Sequence, residues 1–218
     1  MNFTRIIHLS LLLCSALVLN GCFDYQERIV LNKDASGTME VDYWKMDNVN
    51  IDNDGYRFPD KTENIREEVE SKYTSDKIKL TEFKTNEEKD SRHVHFKIAF
   101  NNILDLNDVE QFQKNRIKFT KSGDNISFER SIFLNNGNAD NKDKPDGLFG
   151  KLVLGFVKQG LSNISFQFEI DTPYQIEETN ADSRPGKDRA IWKFRLSDVL
   201  DQDDIKMTLT AGSSPTVI

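Results

Sequence analysis

The chain has 218 residues, with 29 basic and 36 acidic side chains and a formal net charge of −7 at pH 7. This acidic balance, with no basic stripe along the sequence, argues against nucleic acid and other polyanions as partners. The length is enough for one domain with a substantial hydrophobic core.

The first 22 residues are organised like a bacterial export signal. Arg5 supplies a positive charge, and residues 6–19 form an apolar stretch that is shorter than the roughly 20 residues of a transmembrane helix. The stretch ends in Leu19-Asn20-Gly21-Cys22, which resembles the lipobox of bacterial lipoproteins. The resemblance implies cleavage between Gly21 and Cys22 and acylation of the Cys22 thiol. The alternatives are an ordinary signal peptide and an uncleaved anchor.

Cleavage at this point defines the expected mature protein. It leaves 28 basic and 36 acidic residues, because Arg5 is the one charge removed, and the net charge becomes −8. Two or three acyl chains, at about 0.8 kcal/mol per buried methylene, anchor a protein stably on a membrane. Cys14 leaves with the signal peptide and Cys22 is consumed, which excludes a disulfide, a cysteine nucleophile and a cysteine-based zinc site. We therefore divide the chain into a signal peptide (1–21), one domain (22–212) and a flexible tail (213–218).

The first elements of the domain are predicted to be a hairpin and a helix. Strands are expected at residues 27–32 and 38–43, joined by an Asp-, Ser- and Gly-containing turn at 33–37. A loop rich in Asn, Asp and Gly follows at residues 46–59. Residues 62–73 have the apolar spacing of an amphipathic helix.

The middle of the chain is predicted to contain two more hairpins. Strands at residues 78–85 and 92–100 flank a charged turn, and alternation in the second strand places Val94 and Phe96 on one face and His93 and His95 on the other. A second short helix is expected at residues 105–115. The next hairpin pairs strands predicted at 116–120 and 125–134 around Lys121-Ser122-Gly123-Asp124.

The last third begins with a polar loop at residues 135–147 and the most apolar segment, residues 148–161, which is predicted to be the central core helix. A turn-rich segment at 180–188 lies among the last strands, which are expected at residues 163–170, 190–196 and 205–210. The total of about nine strands and three helices, connected mainly as hairpins, predicts an α+β domain with antiparallel sheet.

Two patterns have the residue types of a metal site. His93 and His95 share one strand face, but a metal needs at least a third protein ligand, and we expect these rings to face solvent. The spacing of Asn50, Asp52, Asp54 and Gly55 matches the start of an EF-hand loop, although Lys61 occupies the position of the bidentate glutamate. The sequence thus predicts no metal site, and it contains no catalytic signature or cofactor motif, so we expect a non-enzymatic protein.

Two segments are candidate binding regions. Trp44, Tyr56 and Phe58 lie in or beside the Asn-rich loop, and aromatic residues are enriched at the centres of protein interfaces. The alternative is that they cap the sheet. The bulky face of residues 148–161 packs in the core, lines a lipid-binding cavity or contacts the bilayer.

The lipobox, the strand after it, the turn from Asn32 to Thr38 and the strand containing Ile191-Trp192-Lys193-Phe194 together resemble LppM-type envelope lipoproteins. The resemblance implies a lipid-anchored α+β domain without known catalysis. The composition, rich in Asn, Lys, Ile and Phe, is similar to that of spirochaetal surface lipoproteins, many of which bind plasminogen, extracellular matrix or complement regulators.

Two functions follow as hypotheses. The first is a surface-exposed outer-membrane lipoprotein that binds host proteins; Phe23 follows Cys22 where an inner-membrane retention signal has aspartate. The alternative is a periplasm-facing lipoprotein that binds lipid or assists envelope assembly.

Overall fold

The structure is a computed structural model that describes residues 23–46, 64–113, 115–133, 162–199, 202 and 204–213. The predicted signal peptide, residues 47–59 of the loop predicted at 46–59, the loop predicted at 135–147, the helix predicted at 148–161 and tail residues 214–218 lie outside the described residues. The EF-hand-like pattern at residues 50–61 lies outside them as well.

The described residues form ten strands and four helical segments. The strands are β1 (Phe23–Leu31), β2 (Gly37–Met46), β3 (Ile78–Glu88), β4 (Ser91–Phe100), β5 (Ile117–Ser122), β6 (Asn125–Phe133), β7 (Ile164–Asp171), β8 (Gln175–Thr179), β9 (Arg189–Arg195) and β10 (Asp204–Gly212). The helical segments are α1 (Ile65–Tyr73), two 3-10 helices (Ile103–Asp108 and Glu110–Phe112) and α2 (Leu196–Val199).

The strands form two sheets, in the orders β3-β4-β2-β1-β7-β9 and β5-β6-β10-β8. An α+β fold built largely from antiparallel hairpins is therefore confirmed, with three corrections. The strands belong to two sheets, β8 was not predicted, and β1 pairs with β7 in parallel at the centre of the larger sheet. Both β1 and β2 are also longer than predicted: β1 begins at Phe23 and β2 ends at Met46.

The turn between β1 and β2 forms as predicted, and local hydrogen bonds explain its geometry. The backbone N–H of Asn32 donates to the carbonyl of Ser36 at 2.8 Å, and Asp34 Oδ1 accepts from the amide and the hydroxyl of Ser36. These bonds favour the carboxylate and lower the pKa of Asp34. Gly37 is required where β2 begins, because a Cβ there would lie 2.1 Å from the carbonyl oxygen of Val30.

Alternation along the strands places one face of each sheet inside. Every second residue of β1, β2 and β4 is buried, as predicted for Val94 and Phe96. Inward-facing residues of the four-stranded sheet, including Phe128 and Leu209, join the same hydrophobic cluster. The two sheets thus face each other across one core, as in a sandwich.

Helix α1 covers part of the inner face of the larger sheet. Its buried side chains are Ile65, Val69 and Tyr73, and the Tyr73 ring packs edge-on against Phe96 of β4 with centroids 4.7 Å apart. The helix predicted at 62–73 is confirmed from Ile65 onward, and its exposed side carries an Arg66–Glu70 ion pair of 3.0 Å.

The second predicted helix, at 105–115, is wrong in type. Asn102 and Asp105 form a capping box that starts a 3-10 helix at Ile103, two residues before the predicted start. Val109 is extended, with φ −96° and ψ 152°, which breaks the segment before Glu110–Phe112. The side chain of Asn107 bonds both backbone groups of Ile117, which fastens this segment to the start of β5. None of the helices within the described ranges is long and apolar enough to cross a bilayer.

Candidate functional site at the Phe23 end of the sheet

β1 enters the six-stranded sheet at Phe23, the residue that follows Cys22. Phe23 pairs with Lys45 of β2 on one side and with Ile164 of β7 on the other, and its side chain is 1% exposed. The strand is therefore central from its first residue. We name the end of the sheet at which β1 begins the Phe23 end, and the end at which β1 finishes the Leu31 end.

Two cations lie beside Phe23 on the inner face. The register pairs Lys45 directly with Arg92 of β4, and these residues are 8% and 9% exposed. Arg92 Nε lies 3.2 Å from Glu87 Oε1, and the Glu87 side chain is half exposed. We name Phe23, Lys45 and Arg92 the basic row.

The next inward-facing row consists of rings. Tyr43, Tyr25, Phe166 and Phe194 follow one another across β2, β1, β7 and β9. The rings of Phe166 and Phe194 stack with centroids 5.2 Å apart, and Phe166 lies 6.0 Å from Tyr25. Such pairs contribute about 0.5–1.5 kcal/mol beyond the area they bury. We name these four residues the aromatic row.

A buried ion pair lies beneath the aromatic row and joins the two sheets. Glu27 of β1 and Arg130 of β6 are 2% and 1% exposed, and the guanidinium donates to both carboxylate oxygens. The Tyr25 hydroxyl donates to Glu27 Oε2 at 2.8 Å. The Arg130 guanidinium also lies 4.8 Å from the ring centre of Phe112 and 5.1 Å from that of Phe168. These contacts compensate in part for removing two charges from water.

The outer face of the same sheet carries the histidines and Trp44. Asp42 Oδ1 lies 2.7 Å from His93 Nε2, and its other oxygen lies 3.2 Å from His95 Nδ1. Trp44 lies in the row of Asp24, partly exposed. Within the ranges that the structure describes, no group of three or more His, Cys, Asp or Glu side chains is placed to hold a metal ion. The histidines face outward, as the sequence predicts.

A second outer-face cluster lies farther from Phe23. Asp171 of β7 accepts a hydrogen bond from Arg28 Nε at 2.8 Å and is also bound by Arg189 of β9. The carboxylate raises the pKa of Arg189, so this cluster keeps its positive charge. It fastens the parallel β1–β7 pair to its neighbour.

Asn180 connects the larger sheet to the smaller one. Its Oδ1 accepts from the Trp192 indole N–H and from the backbone N–H of Thr208, both at 2.8 Å, and its Nδ2 donates to the carbonyl of Lys206 at 2.7 Å. The tryptophan strand predicted at 190–196 thus becomes β9, and its indole is fixed by a residue that the sequence assigns to a turn-rich segment.

The sequence-predicted site residues are only partly within the described residues. Trp44 is present on β2, whereas Gly21, Cys22, Tyr56 and Phe58 lie outside. The sequence analysis missed the charged residues of the inner face, although a signal was available. Lys45, Arg92, Glu27 and Arg130 each occupy an inward position in a strand whose other inward residues are apolar or glycine. A charged residue at a position where the alternation of a strand predicts burial indicates an interior polar site.

Comparison with known proteins gives one family and one solved structure. A family model described as LIC11874-like matches residues 17–208. No curated protein matches the chain. Among solved structures, the folded domain of Mycobacterium tuberculosis LppM, determined by NMR, is similar with a TM-score of 0.44 and 10% sequence identity, covering 90% of this chain and 93% of that chain.

Proposed function

This chain belongs to the LIC11874-like family, and we propose that it is a lipid-anchored envelope protein that binds bilayer lipid at the Phe23 end of its sandwich. One observation carries the proposal. β1 begins at Phe23 as a central, buried strand, directly after the lipobox cysteine. Acylation of Cys22 would therefore attach the bilayer to the sheet without a spacer.

The distance between anchor and sheet supports contact with the membrane. Consecutive Cα atoms are about 3.8 Å apart, so an acylated Cys22 holds the basic row at the level of the lipid headgroups. The aromatic row follows two residues deeper along the strands. Aromatic side chains with a polar group, such as Tyr25 and Tyr43, suit an environment that is apolar on one side and wet on the other.

The competing proposal is binding of host proteins, such as complement regulators, extracellular matrix or plasminogen, at the cell surface. It is supported by Trp44, which is partly exposed on the outer face, but Tyr56 and Phe58 lie outside the described residues. A domain held directly against the bilayer presents less of its surface to large external ligands than one on a long tether. The direct attachment therefore favours the lipid-binding function.

Acylation is tested by metabolic labelling with an alkyne analogue of palmitate. We expect Cys22→Ala to lose the label and to leave the membrane fraction. Cys14→Ala is the matched control, because it removes the other cysteine of the chain and should keep both properties. An unlabelled wild-type protein, or a labelled Cys22→Ala variant, contradicts the lipid anchor.

Protease treatment of intact cells separates the two functions. Protection until the outer membrane is opened, with a periplasmic protein as control, supports the lipid-binding function and contradicts binding of host proteins. Loss of the protein from intact cells supports the competing proposal, and binding to complement regulators and matrix proteins would then be measured.

A further inference from the structure

The edges of the two sheets differ in whether other groups bond them. The edge strands are β3 and β9 in the larger sheet and β5 and β8 in the smaller one. Within the described residues, three of these four edges receive hydrogen bonds from outside their sheet. The bonded pairs are Asn107 with Ile117 of β5, Lys187 with Ile176 of β8, and Ser183 with Ile191 of β9. Folded proteins cover their edges in such ways because an uncovered edge can pair with another strand.

The edge of β3 is covered only at its first residue. Ser75 bonds both backbone groups of Ile78, at 3.1 and 3.2 Å, so these groups point away from β4. Backbone groups along a strand point alternately to its two sides, and the bulge at Thr81 shifts the alternation by one residue. The positions that point away from β4 after the bulge are therefore Phe83, Thr85 and Glu87. We name residues Phe83–Glu88 the open edge.

The open edge offers backbone groups to a further strand. In the part of the chain that the structure describes, no backbone group outside the β3–β4 ladder bonds Phe83, Thr85 or Glu87, and the last two residues are exposed. Three N–H donors and three C=O acceptors thus repeat every two residues, or about 6.8 Å. The backbone of an extended chain matches this repeat. We propose that the open edge binds an extended, basic segment of another envelope protein as an added strand.

The charges beside the open edge favour a basic partner. Between residues 82 and 88 there are three glutamates and one lysine, which gives a net charge of −2. Lys84 pairs with Glu82, and Glu87 contacts Arg92 at 3.2 Å. The exposed Glu88 has no ion pair among the described residues. A lysine or arginine on the added strand would lie about 5 Å away, where opposite charges on neighbouring strands attract.

One position of the open edge is apolar. Phe83 lies in register with Phe96 of β4, and its ring is half-buried. The guanidinium of Arg66, in the first turn of α1, lies 5.9 Å from the ring centre. An apolar residue of the added strand would pack against the exposed part of this ring. The partner that fits is therefore a strand of mixed basic and apolar residues.

A second copy of this chain does not fit the same role. Two identical edge strands related by a two-fold axis pair in antiparallel orientation. This pairing reverses β1 of the second copy and places its Phe23 end, with Cys22, at the opposite side of the pair. The two copies could not then both face one bilayer with the Phe23 end. This step rests on the proposed lipid anchor, whereas the open edge does not.

The test uses the full-length mature protein, acylated and held in phosphatidylcholine nanodiscs. The probes are fluorescent ten-residue peptides that alternate threonine and valine and contain either three lysines or three glutamates. We expect the lysine peptide to bind, and the glutamate peptide to bind about fivefold more weakly or less, because like charges on neighbouring strands repel. Hydrogen exchange measured by mass spectrometry should slow in β3 when the lysine peptide binds.

Variants of the open edge make the result specific. Thr85→Pro removes an outward N–H and leaves the bonds to β4 in place, as proline does on edge strands. It should weaken binding of the lysine peptide about tenfold or more. Thr85→Val keeps the N–H and should bind like wild type. Glu88→Lys should reduce the preference for the lysine peptide about fivefold, and it keeps the inference testable if thermal unfolding shows that Thr85→Pro does not fold.

Four outcomes overturn the added strand. They are a wild-type protein that binds neither peptide, a folded Thr85→Pro variant that binds the lysine peptide like wild type, and slowed exchange outside β3 alone. The fourth is a dimer in sedimentation that Thr85→Pro abolishes, which would assign the open edge to a second copy. Acylation of Cys22 is measured separately by the palmitate label. A protein without the label contradicts the lipid anchor and leaves the peptide measurement valid, so the two failures are distinguishable.

Discussion

The two ends of the inner face of the six-stranded sheet obey the same alternation but contain different chemistry. At the Leu31 end the inward residues are mainly aliphatic, with Ile29, Met39 and Ile98 side by side and nearly fully buried. At the Phe23 end the inward residues are rings and cations. Burial by alternation alone therefore does not fix the chemistry of the inner face, because one strand pattern accommodates aliphatic rows at one end and rings with cations at the other.

The largest expected effect on stability concerns the buried ion pair of Glu27 and Arg130, which belongs to neither end of the sheet. Glu27→Gln leaves the Arg130 charge without its carboxylate in the core, and we expect it to lower the free energy of unfolding by about 3–5 kcal/mol. Replacing both residues with Met should restore stability to within about 1 kcal/mol of wild type or raise it, because an apolar pair needs no desolvation of charge. Chemical denaturation measures both, and a double variant as unstable as Glu27→Gln would contradict this explanation.

The next effect sharpens the comparison between the two ends. Ile98→Ala creates a cavity at the Leu31 end and should cost about 2–5 kcal/mol of stability. The same variant, while folded, should leave the vesicle binding of the acylated protein unchanged. Flotation of the acylated protein with phosphatidylcholine vesicles checks this, and a loss of vesicle binding would mean that the two ends do not differ in membrane contact.

A smaller effect is expected where the two sheets are joined. Asn180→Ala removes the acceptor of the Trp192 indole N–H and two bonds to β10, which should cost about 1–3 kcal/mol. Asn86→Ala, at an exposed position of β3, is the control and should change stability by less than about 0.5 kcal/mol. Thermal unfolding of the pair tests the assignment, which fails if the two variants are equally stable.

The smallest effect concerns pH and the turn at the Leu31 end. The pKa of Asp34 in the folded protein lies below its ordinary value of 3.8, so the carboxylate stabilises the turn above that pH and the contribution is lost as pH falls through the lower folded value. Asp34→Asn should therefore be slightly less stable than wild type at pH 7 and should approach it under more acidic conditions. A constant difference in stability across this pH range would contradict the role of the charge.

Much of the fold follows from local patterns in the sequence. The turn before Gly37, helix α1 and the strand with Val94 and Phe96 are predicted, because hairpin turn residues and apolar spacing act over a few neighbouring positions. β8 is missed because Ile176 is the one buried residue among its five, so no alternation is visible. The parallel pairing of β1 with β7 joins residues about 140 positions apart, which no local pattern specifies.

The candidate site is predictable only in part. The sequence indicates the lipobox and Trp44, but the basic row appears only when the register places Lys45 beside Arg92. The alternation within each strand already shows that Lys45 and Arg92 both lie on the inner face. That they are neighbours depends on the pairing of β2 with β4, because the two residues are 47 positions apart in the chain. The division of the inner face into two ends is therefore a result of the sheet and not of any single segment.

The central claim, that the Phe23 end faces the bilayer, is tested most directly by the depth of the two tryptophans. Trp44 is in register with Asp24, whereas Trp192 is in register with Phe168 and hence with Glu27, three residues or about 10 Å farther along the strand. In acylated protein on vesicles containing headgroup-level spin-labelled lipid, we predict quenching of Trp44 emission and little quenching of Trp192, each read in a variant with the other changed to Phe. Equal quenching, or stronger quenching of Trp192, would contradict the account.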